Sequence, residues 1–236
     1  MVGAGCGGCV LKHTHEEARI IRIRRIASAP RPAPPGNRSP PSPPTASALP
    51  WCMPVFESLY AAGRAAVRRL SPTVSGRDGK LGRGVDGRRT ALESLERWAE
   101  AHRDPARPLA WVHAPSVGEG LQARAVIESA QTRAPDRFQW VFTLFSPSAE
   151  GLASRMPVDW SGYLPWDVES DVTRALAALQ PSVVAFTKTE VWPVLSRTAA
   201  AWGVPTALFA GTLPATSSRV TFPARPVLRP SMERLQ

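Results

Sequence analysis

The stretch "HAPSVGEG", residues 113 to 120, sets one carboxylate, Glu119, between two glycines directly after a hydrophobic run. A carboxylate held at the end of a strand can act as a general base, taking a proton from a reacting hydroxyl. Gly118 and Gly120 each cost a helix about 1 kcal/mol relative to alanine, so their placement beside Glu119 suggests that another group must come close. A structural reading stands next to this one. Ser116 followed three residues later by Glu119 has the spacing of a capping box, in which the two side chains satisfy backbone N–H groups at a helix start.

A second acid, Glu190, lies in "TKTEVWP" (187 to 193), where Pro193 suits the first turn of a helix. It can bind substrate hydroxyls, brace the first loop, or simply sit favourably at a helix start. "FSPSAEG" (145 to 151) offers Ser146 and Ser148 as helix-start donors, and "YLPWD" (163 to 167) adds a proline and an aspartate. His113 lacks any accompanying serine or cysteine nucleophile motif, which favours a packing or loop hydrogen-bond role. The four histidines show no metal-ligand spacing, and no metal site is expected. A GxGxxG fingerprint is absent, and a carboxylate in a phosphate cradle would repel its ligand, which argues against a dehydrogenase.

These residues need a scaffold, and the segment that carries them alternates between apolar runs and helical patterns. "LAWVHA" (109 to 114), "FQWVFTLF" (138 to 145), a weaker run in "SGYLP", "SVVAFTK" (182 to 188) and "TALFAG" (206 to 211) read as strands. Helices are expected from about Glu119 to Thr132, through "PSAEGLASRM", over "DVESDVTRALAALQ" and over "WPVLSRTAAAWG". Five strands alternating with helices imply an α/β fold, a Rossmann-like parallel sheet with helices on both faces. Ligands of such sheets bind outside the carboxyl ends of the strands, where all the polar loops above are placed.

The front of the chain differs. Ten of the 25 prolines fall between Pro30 and Pro54, and arginine is concentrated before residue 108. Residues 1–52 read as a disordered Pro/Arg-rich tail, with Met53 a plausible start, because such a composition buries too little apolar surface to offset its ordering entropy. Cys6 and Cys9 have CxxC spacing but no second ligand pair, and with Cys52 all three cysteines precede the core. Residues 53–107 read as a basic lead-in. "VFESLYAAGRAAVRRL" is amphipathic: Phe56, Leu59 and Tyr60, with Arg64 and Arg68, are expected to contact an acidic membrane surface, or else to pack on the domain. Residues 71 to 90, rich in Gly and Arg, read as a loop, and "ALESLERWAEAHR" as a helix.

The net charge of +10 calls for an anionic partner. The arginines lack the interleaved aromatics of a single-strand platform, so nucleic acid is not expected. No apolar run reaches the roughly 18 residues of a spanning helix, and Lys12, Glu16 and Glu17 interrupt any signal-peptide pattern, so a cytoplasmic chain is expected.

Taken in order, "WVHAPSVGE", "SPS", "YLPWD", "TEVWP" and "GTLPATSSR" resemble the N-terminal domain of 3-deoxy-D-manno-octulosonic acid (Kdo) transferases from about Val55 to Arg219. The resemblance implies the N-terminal half of a two-domain GT-B glycosyltransferase, with residues 108–219 as the acceptor domain and 220–236 as the start of the interdomain linker. It implies a lipid A precursor as acceptor, CMP-Kdo as a donor bound by a C-terminal domain not included in this sequence, no further cofactor, and attachment to the cytoplasmic face of the inner membrane. Without that domain the chain is expected to have little activity. Glu119 then matches the general base and Glu190 the second acid, with Ser116, Gly118, Ser146, Ser148, Ser217 and Arg219 completing the acceptor set. A stand-alone lipid- or sugar-binding module, or a GT-B enzyme with another donor, are the alternatives. Lys188, Pro115 and "SPSAE" depart from the family pattern.

Overall fold

The computed structural model describes residues 55–188, 190–211 and 224–235. The Pro/Arg-rich segment 1–52, Met53, the cysteines, Ser217 and Arg219 lie outside the described residues, as does the side chain of Phe56.

Five strands, β1 (Leu109–His113), β2 (Gln139–Leu144), β3 (Trp160–Tyr163), β4 (Val183–Thr187) and β5 (Thr206–Phe209), form one sheet in the order β3-β2-β1-β4-β5. Every pairing is parallel, with Trp111 of the central strand in register with Val141 on one side and Val184 on the other. Successive residues of a strand point to opposite faces, and the core divides accordingly. Trp111, Val141, Val184 and Phe186 face one layer; Ala110, Val112, Phe142 and Leu144 face the other. β1 and β2 are buried along their whole length, as befits inner strands of a sheet covered on both faces.

The helices are α1 (Val55–Leu70), α2 (Lys80–His102), α3 (Val117–Arg133), α4 (Glu150–Ala153), α5 (Glu169–Leu179), α6 (Pro193–Ala201) and α7 (Arg225–Glu233). α3 and α4 pack on the Phe142 face through Ala123, Ile127 and Leu152, whereas α2, α5 and α6 cover the Trp111 face through Leu95, Leu176 and Leu195. Each of the buried leucines and Ile127 contributes roughly 1.5–3 kcal/mol by leaving water.

Three expectations change. The Gly/Arg-rich segment read as a loop is half helix: α2 begins at Lys80 and buries Val85, Arg88, Leu92, Leu95 and Ala99 along one face. Its glycines permit contact rather than flexibility, since a Cβ on Gly87 would sit 2.2 Å from the Tyr163 ring. The helix expected through "PSAEGLASRM" shrinks to a 3-10 turn at Pro147–Ala149 and the single turn of α4. Residues expected to begin a linker instead form α7, which packs against α6 and α1. Arg234, just beyond α7, pairs with the buried Glu57 of α1 at 3.0 Å.

Candidate functional site

The strand order reverses direction between β1 and β4, so the connection leaving β1 runs to one face of the sheet and that leaving β4 to the other. The two loops part at the carboxyl edge, the switch point where open α/β sheets have their ligand-binding crevice. Glu119 belongs to the first turn of α3, after β1, and Lys188 and Glu190 to the loop after β4.

The capping box does not form. Ser116 occupies the N-cap of α3 in extended backbone but makes no side-chain bond to the helix backbone; its hydroxyl donates to Glu119 Oε2. Across the crevice, Lys188 Nζ lies 3.4 Å from Glu119 Oε1. Glu119 is 14% exposed and Lys188 46%. Lys188 also adopts a left-handed backbone, φ 59°, and its N–H donates to Phe209 O. The two glycines differ in purpose. A Cβ on Gly118 would meet nothing within 4 Å, so space there is open, while one on Gly120 would meet Leu152 at 2.5 Å. Gly120 therefore serves the packing of α3 on α4, and only Gly118 keeps room beside Glu119.

His113 ties the two loops together from below. Trp192 Nε1–H donates to His113 Nε2 at 2.8 Å, which leaves Nδ1 as the protonated nitrogen, donating to Thr143 Oγ1 at 3.0 Å. Thr143 Oγ1 also accepts from Trp111 Nε1 at 3.0 Å, and Thr187 Oγ1 donates to His113 O. The imidazole is fully buried, and burial, with a contribution from the charge of Arg88, pushes its pKa down to about 3. It is a neutral brace, as the lack of a nucleophile motif suggested. Pro115 O accepts from Phe145 N and Ser146 N, which joins the β2 loop to the same edge; there Ser146 Oγ and Ser148 Oγ are 2.9 Å apart.

The front helix closes over this edge on the Trp111 side. Tyr60 OH donates to Asp167 at 3.0 Å, and Arg68 pairs with Asp171 at 3.0 Å. Asp167 is buried and also accepts from Val194 N and Leu195 N, at the start of α6. Burial pushes its carboxyl above the usual range, against the pull of those donors and of Arg64. Arg64 lies 5.1 Å from the Trp192 ring centroid and 5.7 Å from that of Trp166. Tyr60, Arg64 and Arg68, expected at a membrane surface, are thus engaged with the domain, because the face of α1 that carries them meets the polar starts of α5 and α6. Leu59 is exposed, together with Val55, Val67 and Leu70.

Two participants escape a reading of spacing. Lys188 appears in sequence only as a departure from a motif, and Arg88 only as one arginine in a Gly/Arg-rich stretch. Arg88 is 7% exposed, donates to Phe145 O at 2.8 Å and lies 3.6 Å over the Phe145 ring. Among the described residues no group of three His, Cys, Asp or Glu side chains could hold a metal ion, and no helix is long and apolar enough to cross a membrane.

Residues 92–236 match the family described as 3-Deoxy-D-manno-octulosonic-acid transferase (kdotransferase). The chain is similar to the 3-deoxy-D-manno-octulosonic acid transferase of Rickettsia felis, 34% identical over 37% of this chain and 19% of that protein. The Rickettsia prowazekii enzyme is 31% identical over 46% of this chain and 23% of its own length. The chain thus spans about a fifth of the length of these curated relatives. Among solved structures it shares a partial likeness with a UDP-N-acetylglucosamine 2-epimerase, TM-score 0.42 and 9% identity, over 55% of this chain and 40% of that one. A similar likeness holds for the UDP-GlcNAc 2-epimerase of Neisseria meningitidis, TM-score 0.40 and 13% identity, over 55% and 39%.

Proposed function

Since this chain belongs to the 3-deoxy-D-manno-octulosonic acid (Kdo) transferase family, we propose that it forms the acceptor-binding half of an inverting GT-B glycosyltransferase with Glu119 as general base. The observation that carries the reading is the convergence, at the crevice between β1 and β4, of Glu119 with the Lys188–Glu190 loop. A carboxylate in that place takes the proton of an acceptor hydroxyl while the hydroxyl oxygen bonds to the anomeric carbon of Kdo. The bond from that carbon to phosphate breaks on the opposite side, and CMP leaves. Ser116 orients the carboxylate, and Gly118 keeps the approach to it open.

The acceptor is a lipid A precursor, and Ser146, Ser148 and Glu190 border the loops around it. CMP-Kdo is held by a second domain, so catalysis belongs to the two halves together. The apolar side of α1 rests on the cytoplasmic face of the inner membrane: Val55, Leu59, Val67 and Leu70 are exposed on a helix whose opposite side is pinned to the domain.

A second reading, a sugar- or lipid-binding module without catalysis, is favoured by one contact. Lys188 occupies Glu119 Oε1, where a reacting hydroxyl would have to bind. Transfer assays with this chain joined to the donor domain of a relative separate the two. Glu119→Gln is expected to lower transfer by roughly 10²–10⁴-fold, the range of a lost general base, with acceptor binding retained. Transfer at the unsubstituted rate would remove Glu119 from the chemistry.

A further inference from the structure

Among the described residues, the carboxyl edge of the sheet holds two guanidinium groups that form no ion pair. Arg64 comes from α1 and Arg88 from α2, and both lie against the Trp166 ring, at 5.7 and 5.6 Å from its centroid. Aromatic faces support them, Trp192 under Arg64 and Phe145 under Arg88. Among the described residues no carboxylate lies within ion-pair distance of either. Asp167 is the acid whose charge Arg64 feels, and its oxygens already take Tyr60 OH, Val194 N and Leu195 N. The Nε atoms of Arg64 and Arg88 are both buried with no hydrogen-bond partner. Burial and the neighbouring charge of Arg64 push Arg88 down to about 10. Two like charges, half out of water and with unused donors, are unfavourable unless an anion completes the arrangement.

We propose that Arg64 and Arg88 form a subsite for a phosphomonoester group, resting on the acceptor reading given above. Charge selects the ligand class. A phosphomonoester carries nearly two negative charges at neutral pH and matches two guanidinium groups, whereas a phosphodiester or a carboxylate carries one. Planar guanidinium forks suit the tetrahedral oxygens of phosphate. The position also fits. Phe145, under Arg88, and the next residue donate their N–H groups to Pro115 O in the Glu119 loop, and Trp192, under Arg64, follows Glu190 by two positions. A phosphate held here lies on the same edge as the base, at the end of the sheet that α1 covers. Arg64, the less buried of the two, is the arm that meets the ligand first.

The test is titration of the full chain with glucosamine 1-phosphate, followed by tryptophan fluorescence, to which Trp166 and Trp192 contribute among the eight tryptophans, and by thermal shift. Saturable quenching and a raised Tm are expected, with dimethyl phosphate at least tenfold weaker. Arg64→Gln should weaken binding at least tenfold without lowering the Tm of the free protein, since it relieves the repulsion on Arg88. Arg88→Lys keeps the charge without the fork and should bind at an intermediate level. Arg174→Gln, on the surface beside Glu96, should bind as the parent does. Inorganic phosphate and vesicles containing phosphatidic acid are run in parallel; saturable binding of either through Arg64 supports the subsite, and the tightest of the three names the source. Equal affinity in Arg64→Gln and the parent, or no preference for the monoester over dimethyl phosphate, would overturn it. Because Glu119→Gln leaves these arginines in place, phosphate binding that survives a failed transfer assay keeps the subsite and rejects only the catalytic reading.

Discussion

Arginine is drawn out of water at both ends of this sheet, Arg103 half-buried and Arg88 buried, and does opposite things there. At the amino end, Arg103 donates through Nε to Leu179 O at 2.7 Å, and through its terminal nitrogens to the carbonyls of Asp104, Arg107 and Gln180 and to Gln139 Oε1. The loop before β1, the start of β2 and the loop before β4 are tied to one guanidinium. At the carboxyl end, Arg88 donates to one backbone carbonyl, Phe145 O, and its buried Nε has no partner. Burying a donor without a partner is unfavourable, so evolution of a purely structural edge would favour the first arrangement. The contrast teaches that burial alone does not mark a charge as functional; unused hydrogen-bonding capacity at the carboxyl edge is what a bound anion would take up.

The contrast breaks most visibly at Arg103. Arg103→Met should cost about 3 kcal/mol, because two part-buried carbonyls and Gln139 Oε1 lose their charged donor at once; chemical denaturation would measure it, and phosphate affinity should not change. Stability that survives this substitution would erase the distinction between the ends. The next effect is at His113. Its folded pKa of about 3 lies below the ordinary 6.5, so between those values the unfolded chain binds a proton that the folded chain refuses. The stabilisation is therefore complete above pH 6.5 and drains as pH falls toward 3. At pH 5 the loss is about 2 kcal/mol. Asp167, raised by burial, carries the opposite sign, so the comparison is between the parent and His113→Gln, whose denaturation midpoints should converge on acidification. The smallest effect is at Lys188. Lys188→Met removes a half-exposed ion pair and should change stability by no more than about 0.5 kcal/mol. Lys188→Gly should stabilise by roughly 1 kcal/mol, since glycine accepts the left-handed backbone freely. A large loss in either variant, read from thermal melts, would make Lys188 a structural residue.

Much of this was legible in the sequence, for identifiable reasons. The strands announced themselves because inner parallel strands are continuous apolar runs, and Glu119 because glycines flank it. The first half of α2 was hidden because composition counts Gly82, Gly84 and Gly87 as loop formers, when Gly87 instead lets the helix approach Tyr163. α7 was hidden by Pro226 and Pro230, one tolerated in the first turn and the other inside the helix. The convergence of Arg64 with Arg88, and the bond from Trp192 to His113 across 79 positions, exist only once the sheet has set its strand order. No local pattern encodes them.

The pairing of Glu57 with Arg234 spans 177 positions, and that separation has a temporal meaning. A ribosome adding roughly 5–20 residues per second releases α1 on the order of 10–35 s before its partner exists. The sheet and its covering helices can assemble in that interval, since their contacts lie within the intervening sequence. α1 can dock in that interval too, through Tyr60 on Asp167 and Arg68 on Asp171; its clasp by Arg234 is the last contact to form, and any nascent chain stopped short of Arg234 carries the front helix without the arginine that pairs with Glu57.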